Sequence, residues 1–133
     1  WQSASNPCLR DIHEYILVFS KGSFKLPRTK EEKANGREDT IEKQEFIDLT
    51  KSIWRFPTAS AKRIGHPAPF PVELPRRTIE FYTFTGDIVL DPFIGAGSTA
   101  MAAKDTGRHF IGFDISEEYV TLAESRLASQ IES

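Results

Sequence analysis

The most specific chemical signal in the sequence comes from two carboxylates and two glycines. Asp91 heads the stretch Asp91-Pro92-Phe93-Ile94-Gly95-Ala96-Gly97-Ser98-Thr99, and Asp114 follows the apolar run at 109–113. Parallel α/β sheets bind ligands beyond the C-terminal ends of their strands, which is where both acids are expected to fall. Gly95 and Gly97 let the main chain approach a ligand closely, and a helix beginning near Ser98 aims unpaired N–H groups at it. A tight strand-to-helix turn with no ligand would use the same glycines. Gly95-x-Gly97-x-x-Ala100 followed by Asp114 also stands near the dinucleotide fingerprint. Asp91 pulls away from that reading, because an acid at the strand tip repels a pyrophosphate and attracts an ammonium group. Asp114 can accept hydrogen bonds from both hydroxyls of a ribose, each charge-assisted bond contributing about 1.5–3 kcal/mol net. A cation at one end and a ribose at the other describe S-adenosylmethionine.

Other reactive side chains give weaker signals. His13, His66 and His109 are scattered without metal-ligand spacing, so no metal is expected. His66, before Pro67, reads as a ligand contact or as an ordinary loop histidine. Cys8, the single cysteine, reads as a small buried residue; it excludes an intramolecular disulfide and fits a reducing compartment, with the cytoplasm as the expected location. Trp54 and Phe56 flank Arg55 and suit core packing or stacking on DNA. Residues 1–77 carry 14 Lys/Arg against 10 Asp/Glu, whereas residues 78–133 carry 3 against 9. The basic half is densest from Arg55 through Lys62, Arg63 and Arg76 to Arg77, where a polyanion such as DNA could be met. A solvated face explains the same charges.

These groups need elements to hold them. Residues 87–91 form a short apolar run entering the glycine turn, residues 98–105 are alanine-rich and helix-forming, and Gly107 stops that helix. Residues 109–113 predict a second strand. Ser116 is a helix N-cap with Glu117 and Glu118 at the positive end, and Val120, Ala123, Leu127 and Ile131 recur at helical spacing. With a helix over 75–84, the order is α-β-α-β-α, an α/β unit with a parallel sheet and right-handed crossovers. Upstream, residues 13–19 predict a buried strand. Residues 25–45, rich in both charges and broken by Pro27 and Asn35-Gly36, predict an exposed or mobile insertion. A short helix falls within 39–51, and five prolines between 54 and 75 predict a structured loop.

The whole of 133 residues, 39% hydrophobic with ten Phe and two Trp, suits one domain. A net charge of −2 argues against general nucleic-acid binding. No run of about 18 apolar residues is present, so no membrane partner is expected. The first residue is Trp1, consistent with processing or with a piece of a longer chain.

The stretch from Asp91 to Thr99 closely resembles the Asp-Pro-Phe-x-Gly-Ser-Gly-Thr-Thr cofactor motif of the DNA amino-methyltransferases that modify adenine N6 or cytosine N4. The stretch from His66 to Leu74 resembles the family segment that precedes this motif and closes over the methionine end of the cofactor. The stretch from Asn6 to Lys21 resembles the late part of the catalytic region, where a strand pair lines the target-base side. The resemblance implies a Rossmann-like methyltransferase fold with a mostly parallel sheet. It divides the chain into 1–24, the late catalytic region; 25–65, an insertion with a target-recognition role; and 66–133, the S-adenosylmethionine-binding region. It places the cofactor at His66, Pro67, Phe70, Asp91, Pro92, Phe93, Gly95, Gly97, Ser98, Thr99 and Asp114; the basic clustering puts DNA at Arg55, Lys62 and Arg63. The family's Asp/Asn/Ser-Pro-Pro-aromatic tetrapeptide does not occur; Asn6-Pro7-Cys8-Leu9 shares only its first two residues. The resemblance therefore implies the C-terminal portion of a restriction–modification methyltransferase, inactive alone, with DNA and the upstream catalytic segment as partners and self-association expected. A non-enzymatic nucleotide- or partner-binding module, or an RNA or small-molecule methyltransferase of this fold, are the alternatives.

Overall fold

A computed structural model of the chain describes residues 12–57, 59 and 70–129. The described elements are α1 (Lys30–Ala34), α2 (Lys43–Leu49), α3 (Glu73–Tyr82), β1 (Ile88–Asp91), α4 (Ser98–Asp105), β2 (His109–Gly112) and α5 (Glu117–Ser129). From α3 onward the order is the expected α-β-α-β-α, and β1 pairs with β2 in parallel, Ile88 opposite His109 and Asp91 opposite Gly112.

The core forms where α3 and α4 meet one face of this sheet. Ile79 of α3 packs with Ala102 and Ala103 of α4, and Val72 and Val89 close around them. Alanine at both α4 positions lets the helices approach closely at little side-chain entropy cost. Pro75 lies inside the first turn of α3, where a missing N–H breaks no intrahelical bond. Alternation along β1 turns Val89 inward and leaves Ile88 and Leu90 on the other face, 64% and 62% exposed. Ile111, opposite Leu90, is exposed on that face as well.

One expectation is corrected. Residues 13–19 form no strand: residues 12–20 run without ladder partners, and Ile12, Tyr15, Leu17 and Phe19 are exposed. A strand is stable only when a neighbour satisfies its backbone groups, and no described strand lies beside it. The charged segment 25–45 is largely exposed, as expected, and is tied to the rest of the chain. Thr29 and Glu32 form a reciprocal capping box on α1, and Arg37 reaches Asp87 with both Nε and Nη2, at 3.0 and 3.3 Å. The guanidinium groups of Arg28 and Arg37 both lie 4.7 Å from the Phe84 ring centroid. Thr40 donates its hydroxyl to Glu80 and accepts from the buried Arg108. Charge pairs and hydrogen bonds thus fasten a segment that buries no apolar face of its own.

Candidate cofactor-binding site

β1 delivers Asp91 to the sheet's C-terminal edge, and the chain turns at once. Asp91 Oδ1 accepts the Phe93 N–H at 2.9 Å, and its other oxygen has no partner among the described residues. Ile94 N–H donates to Phe113 O at 2.8 Å, stitching the turn to the end of β2. Gly95 and Gly97 take φ of +48° and +81°, the left-handed region open to glycine at little cost. Gly97 is the N-cap of α4 and brings no capping side chain, so the first-turn amides of Ser98, Thr99 and Ala100 have no side-chain acceptor from the cap.

Asp114 binds the turn to the next helix. Its Oδ2 accepts the Gly95 N–H at 3.0 Å and its Oδ1 accepts the Ser116 N–H at 2.9 Å, immediately before α5. An ionised carboxylate has about four acceptor directions, so further donors can be accommodated. Two glycines permit close packing. A Cβ on Gly97 would stand 2.9 Å from Ala123 Cβ, and one on Gly112 would stand 2.8 Å from Ile94 Cγ1. Ser98 Oγ donates to Phe70 O at 3.0 Å, joining the end of the proline-rich stretch to the glycine turn. Arg126 of α5 donates to the Ala96 carbonyl.

Asp91, Gly95, Gly97, Ser98, Thr99 and Asp114 are thus brought together, with Phe70 tied to them. Ser98 and Thr99 are buried, whereas Pro92 and Phe93 are exposed, Phe93 by 82%. His66, Pro67, Lys62 and Arg63 lie outside the described residues. Arg55 is exposed, away from the turn in sequence. Two cations of the basic stretch are already engaged. Arg76 contacts Glu73 and Glu45, both at 2.8 Å, and Glu80; Arg77 pairs with Glu73 and lies over the rings of Trp54 and Phe56. Trp54 stacks on Phe81 and its indole N–H donates to Leu49 O, so it serves packing. Among the described residues no three metal-ligating side chains cluster.

Arg126, Gly112 and the Arg37–Asp87 pair are functional or supporting features that sequence patterning does not single out. Arg126 borders the apolar stripe of α5, and nothing in its spacing announces a carbonyl partner 30 residues upstream.

The carboxylate acceptors of Asp91 and Asp114 suit a ligand that carries a cation and vicinal hydroxyls. Two carboxylates stand at the tips of adjacent parallel strands, and a pyrophosphate placed over the turn would meet both. Comparison with known proteins agrees in fold and family. The DNA methylase family model matches residues 1–125. Type II methyltransferase M.MthZI of Methanothermobacter thermautotrophicus is 36% identical over 86% of this chain and 34% of its own length. Orphan methyltransferase M.BamHII of Bacillus amyloliquefaciens is 34% identical over 90% of this chain and 55% of its own length. The chain therefore spans about a third to about half of these relatives. TTHA0409 of Thermus thermophilus, described as a putative DNA modification methylase and solved with S-adenosyl-L-methionine, superposes with a TM-score of 0.64 at 28% identity, over 89% of this chain and 48% of that one. The α/β unit with its parallel strands is a part of that methyltransferase fold, and the chain belongs to the DNA methylase family.

Proposed function

We propose that this chain supplies the S-adenosylmethionine half-site of a DNA methyltransferase acting on adenine N6 or cytosine N4, of the restriction–modification kind. The observation that carries the reading is the convergence of Asp91 and Asp114 on one glycine turn, with Asp114 holding the Gly95 N–H. Asp91 offers an ammonium group an oxygen that is unpartnered among the described residues, and Asp114 retains acceptor capacity for ribose hydroxyls. The first-turn amides of α4, left uncapped by Gly97, suit a carboxylate. His66, Pro67, Phe70, Pro92 and Phe93 complete the proposed cofactor set. Bound, S-adenosylmethionine supplies an electrophilic methyl group; the chain's residues bind and orient it.

Transfer further requires a target nitrogen held in line with that methyl group, which a flipped base provides at a cost of a few kcal/mol for unstacking. Groups that would hold the nitrogen belong to the Pro-Pro-aromatic tetrapeptide, which the 133 residues do not contain. DNA and an upstream catalytic segment are therefore the proposed partners, with Arg55, Lys62 and Arg63 on the DNA side. The M.BamHII and M.MthZI relatives, by name methyltransferases, support the reaction class.

Isothermal titration tests the half-site. S-adenosylmethionine is expected to bind better than NAD, and Asp114→Ala is expected to weaken it by about 1–3 kcal/mol through lost ribose and turn hydrogen bonds. Preference for NAD, or an unchanged affinity in Asp114→Ala, overturns the assignment.

A further inference from the structure

Helix α5 meets the glycine turn through one face. Ala123 and Arg126 are three residues apart and so project from the same side of the helix. Ala123 lies so close to Gly97 that no Cβ fits between them. Arg126 places its guanidinium on the carbonyl of Ala96, the one non-glycine residue between Gly95 and Gly97. No carboxylate among the described residues pairs with Arg126, and burial of its side chain lowers its pKa. Its described partner is thus the turn itself.

A turn of this composition needs outside constraints. Glycine on both sides of Ala96 opens conformations that other residues forbid, including peptide flips that would exchange a carbonyl for an amide on the ligand-facing side. Each of the three turn residues is restrained, Gly97 also through its C=O, which accepts the Met101 N–H of α4 at 3.0 Å. Gly95 N–H goes to Asp114, Gly97 N–H to Ile94 O at 2.9 Å, and Ala96 C=O to Arg126. The first restraint comes from a proposed cofactor-binding residue and the second from within the turn. Only the third comes from a side chain on the far helix.

We infer that Arg126 is a positioning residue for the cofactor turn, holding the Ala96 carbonyl toward α5 so that the turn stands ready for S-adenosylmethionine. This rests on the cofactor reading above. An ordered turn pays less conformational entropy on binding than a loose one. Losing the restraint therefore weakens cofactor affinity without removing any group that touches the cofactor.

The test uses purified protein with Arg126→Met, which keeps the stem without donors, and Arg126→Lys, which keeps a donor. Titration is expected to show S-adenosylmethionine binding about tenfold weaker in Arg126→Met and restored to within about threefold in Arg126→Lys, with melting temperatures within about 4 °C of wild type. The Gly97 amide resonance, whose peptide group includes the Ala96 carbonyl, is expected to move in Arg126→Met without ligand and to return toward wild type in Arg126→Lys. Wild-type affinity and an unmoved Gly97 resonance in Arg126→Met overturn the inference, as does equal loss of affinity in both variants. Should Arg126→Met fail to fold, the wild-type guanidinium carries the test: slowed rotation and exchange of its Nη protons are expected, and freely rotating, solvent-averaged signals overturn it. A wild-type protein that binds no S-adenosylmethionine defeats the cofactor reading, whereas the ligand-free resonances still report on Arg126.

Discussion

Asp87 and Asp91 stand at opposite ends of β1, and their side chains perform different work. Asp91 turns the chain and leaves an oxygen without a partner among the described residues, whereas Asp87 accepts from Arg37 Nε and Nη2 and from the Phe84 N–H. Burial opposes ionisation of Asp87, but these hydrogen bonds and the charges of Arg37 and Arg108 outweigh it and hold its carboxyl below the ordinary range. A depressed folded-state pKa gives a contribution that is complete above the unfolded-state value of about 3.9 and fades as pH falls through the folded value. Acid unfolding below about pH 4 is therefore expected to be less steep in Asp87→Asn, which is also less stable at neutral pH by about 1–2 kcal/mol. Urea titrations between about pH 2.5 and 7 check this, and identical pH dependence in the two proteins refutes it. Asp91 and Asp114 were legible in the sequence because the residue types flanking each strand carry the information locally. The Arg37–Asp87 pair spans 50 positions and becomes visible only once the fold has brought its ends together.

Elements were legible where periodicity and punctuation agreed. Residues 98–105 form α4 as expected, because alanine favours helix, Gly97 opens it and Gly107 follows its end. Residues 13–19 failed as a strand because an apolar run states a preference while a neighbouring strand supplies the hydrogen bonds. The seating of the turn on β2 depends on an element contact that composition hides. Ile94 occupies the space a side chain on Gly112 would need, and Gly112 has no positive φ, so its role there is spatial. Gly112→Ala is expected to destabilise the protein by about 1–3 kcal/mol through overpacking against Ile94. Ile94→Ala should cost less in the Gly112→Ala background than in wild type, giving a favourable coupling of at least about 0.5 kcal/mol. Chemical denaturation of the two single variants and the double variant measures it, and strict additivity would show that the two residues do not compete for space.

Across the molecule, the basic N-terminal half is a poorer guide to a DNA surface than its excess of Lys and Arg suggests. Arg28, Arg37, Arg76 and Arg77 are all engaged by Asp or Glu side chains of the same chain. Much of that charge fastens the segment from α1 to α2 to the outside of α3 and to the start of β1, the end of the strand opposite the glycine turn. Arg108, 4% exposed, extends this fastening through Thr40 and Thr83, with Glu80, itself 8% exposed, on the far side of Thr40. The glycine turn, by contrast, is restrained from three sides before any ligand arrives, and the proposed division of labour follows from that contrast. Catalysis depends on groups that bind the transition state more strongly than the ground state, and a cofactor half-site holds only one reactant. The 133-residue chain is accordingly expected to bind S-adenosylmethionine and to transfer no methyl group to DNA. It is also expected to self-associate through the face bearing Ile88, Leu90 and Ile111, where apolar side chains meet water. Supplying a segment that contains the Pro-Pro-aromatic tetrapeptide, fused upstream or added in trans, should restore transfer to an adenine N6 or a cytosine N4. Incorporation of radiolabelled methyl groups into unmethylated DNA, followed by nucleoside analysis, distinguishes the outcomes. Sustained turnover by the 133-residue chain alone would place the catalytic groups within it, with Asn6-Pro7-Cys8-Leu9 as the first place to look.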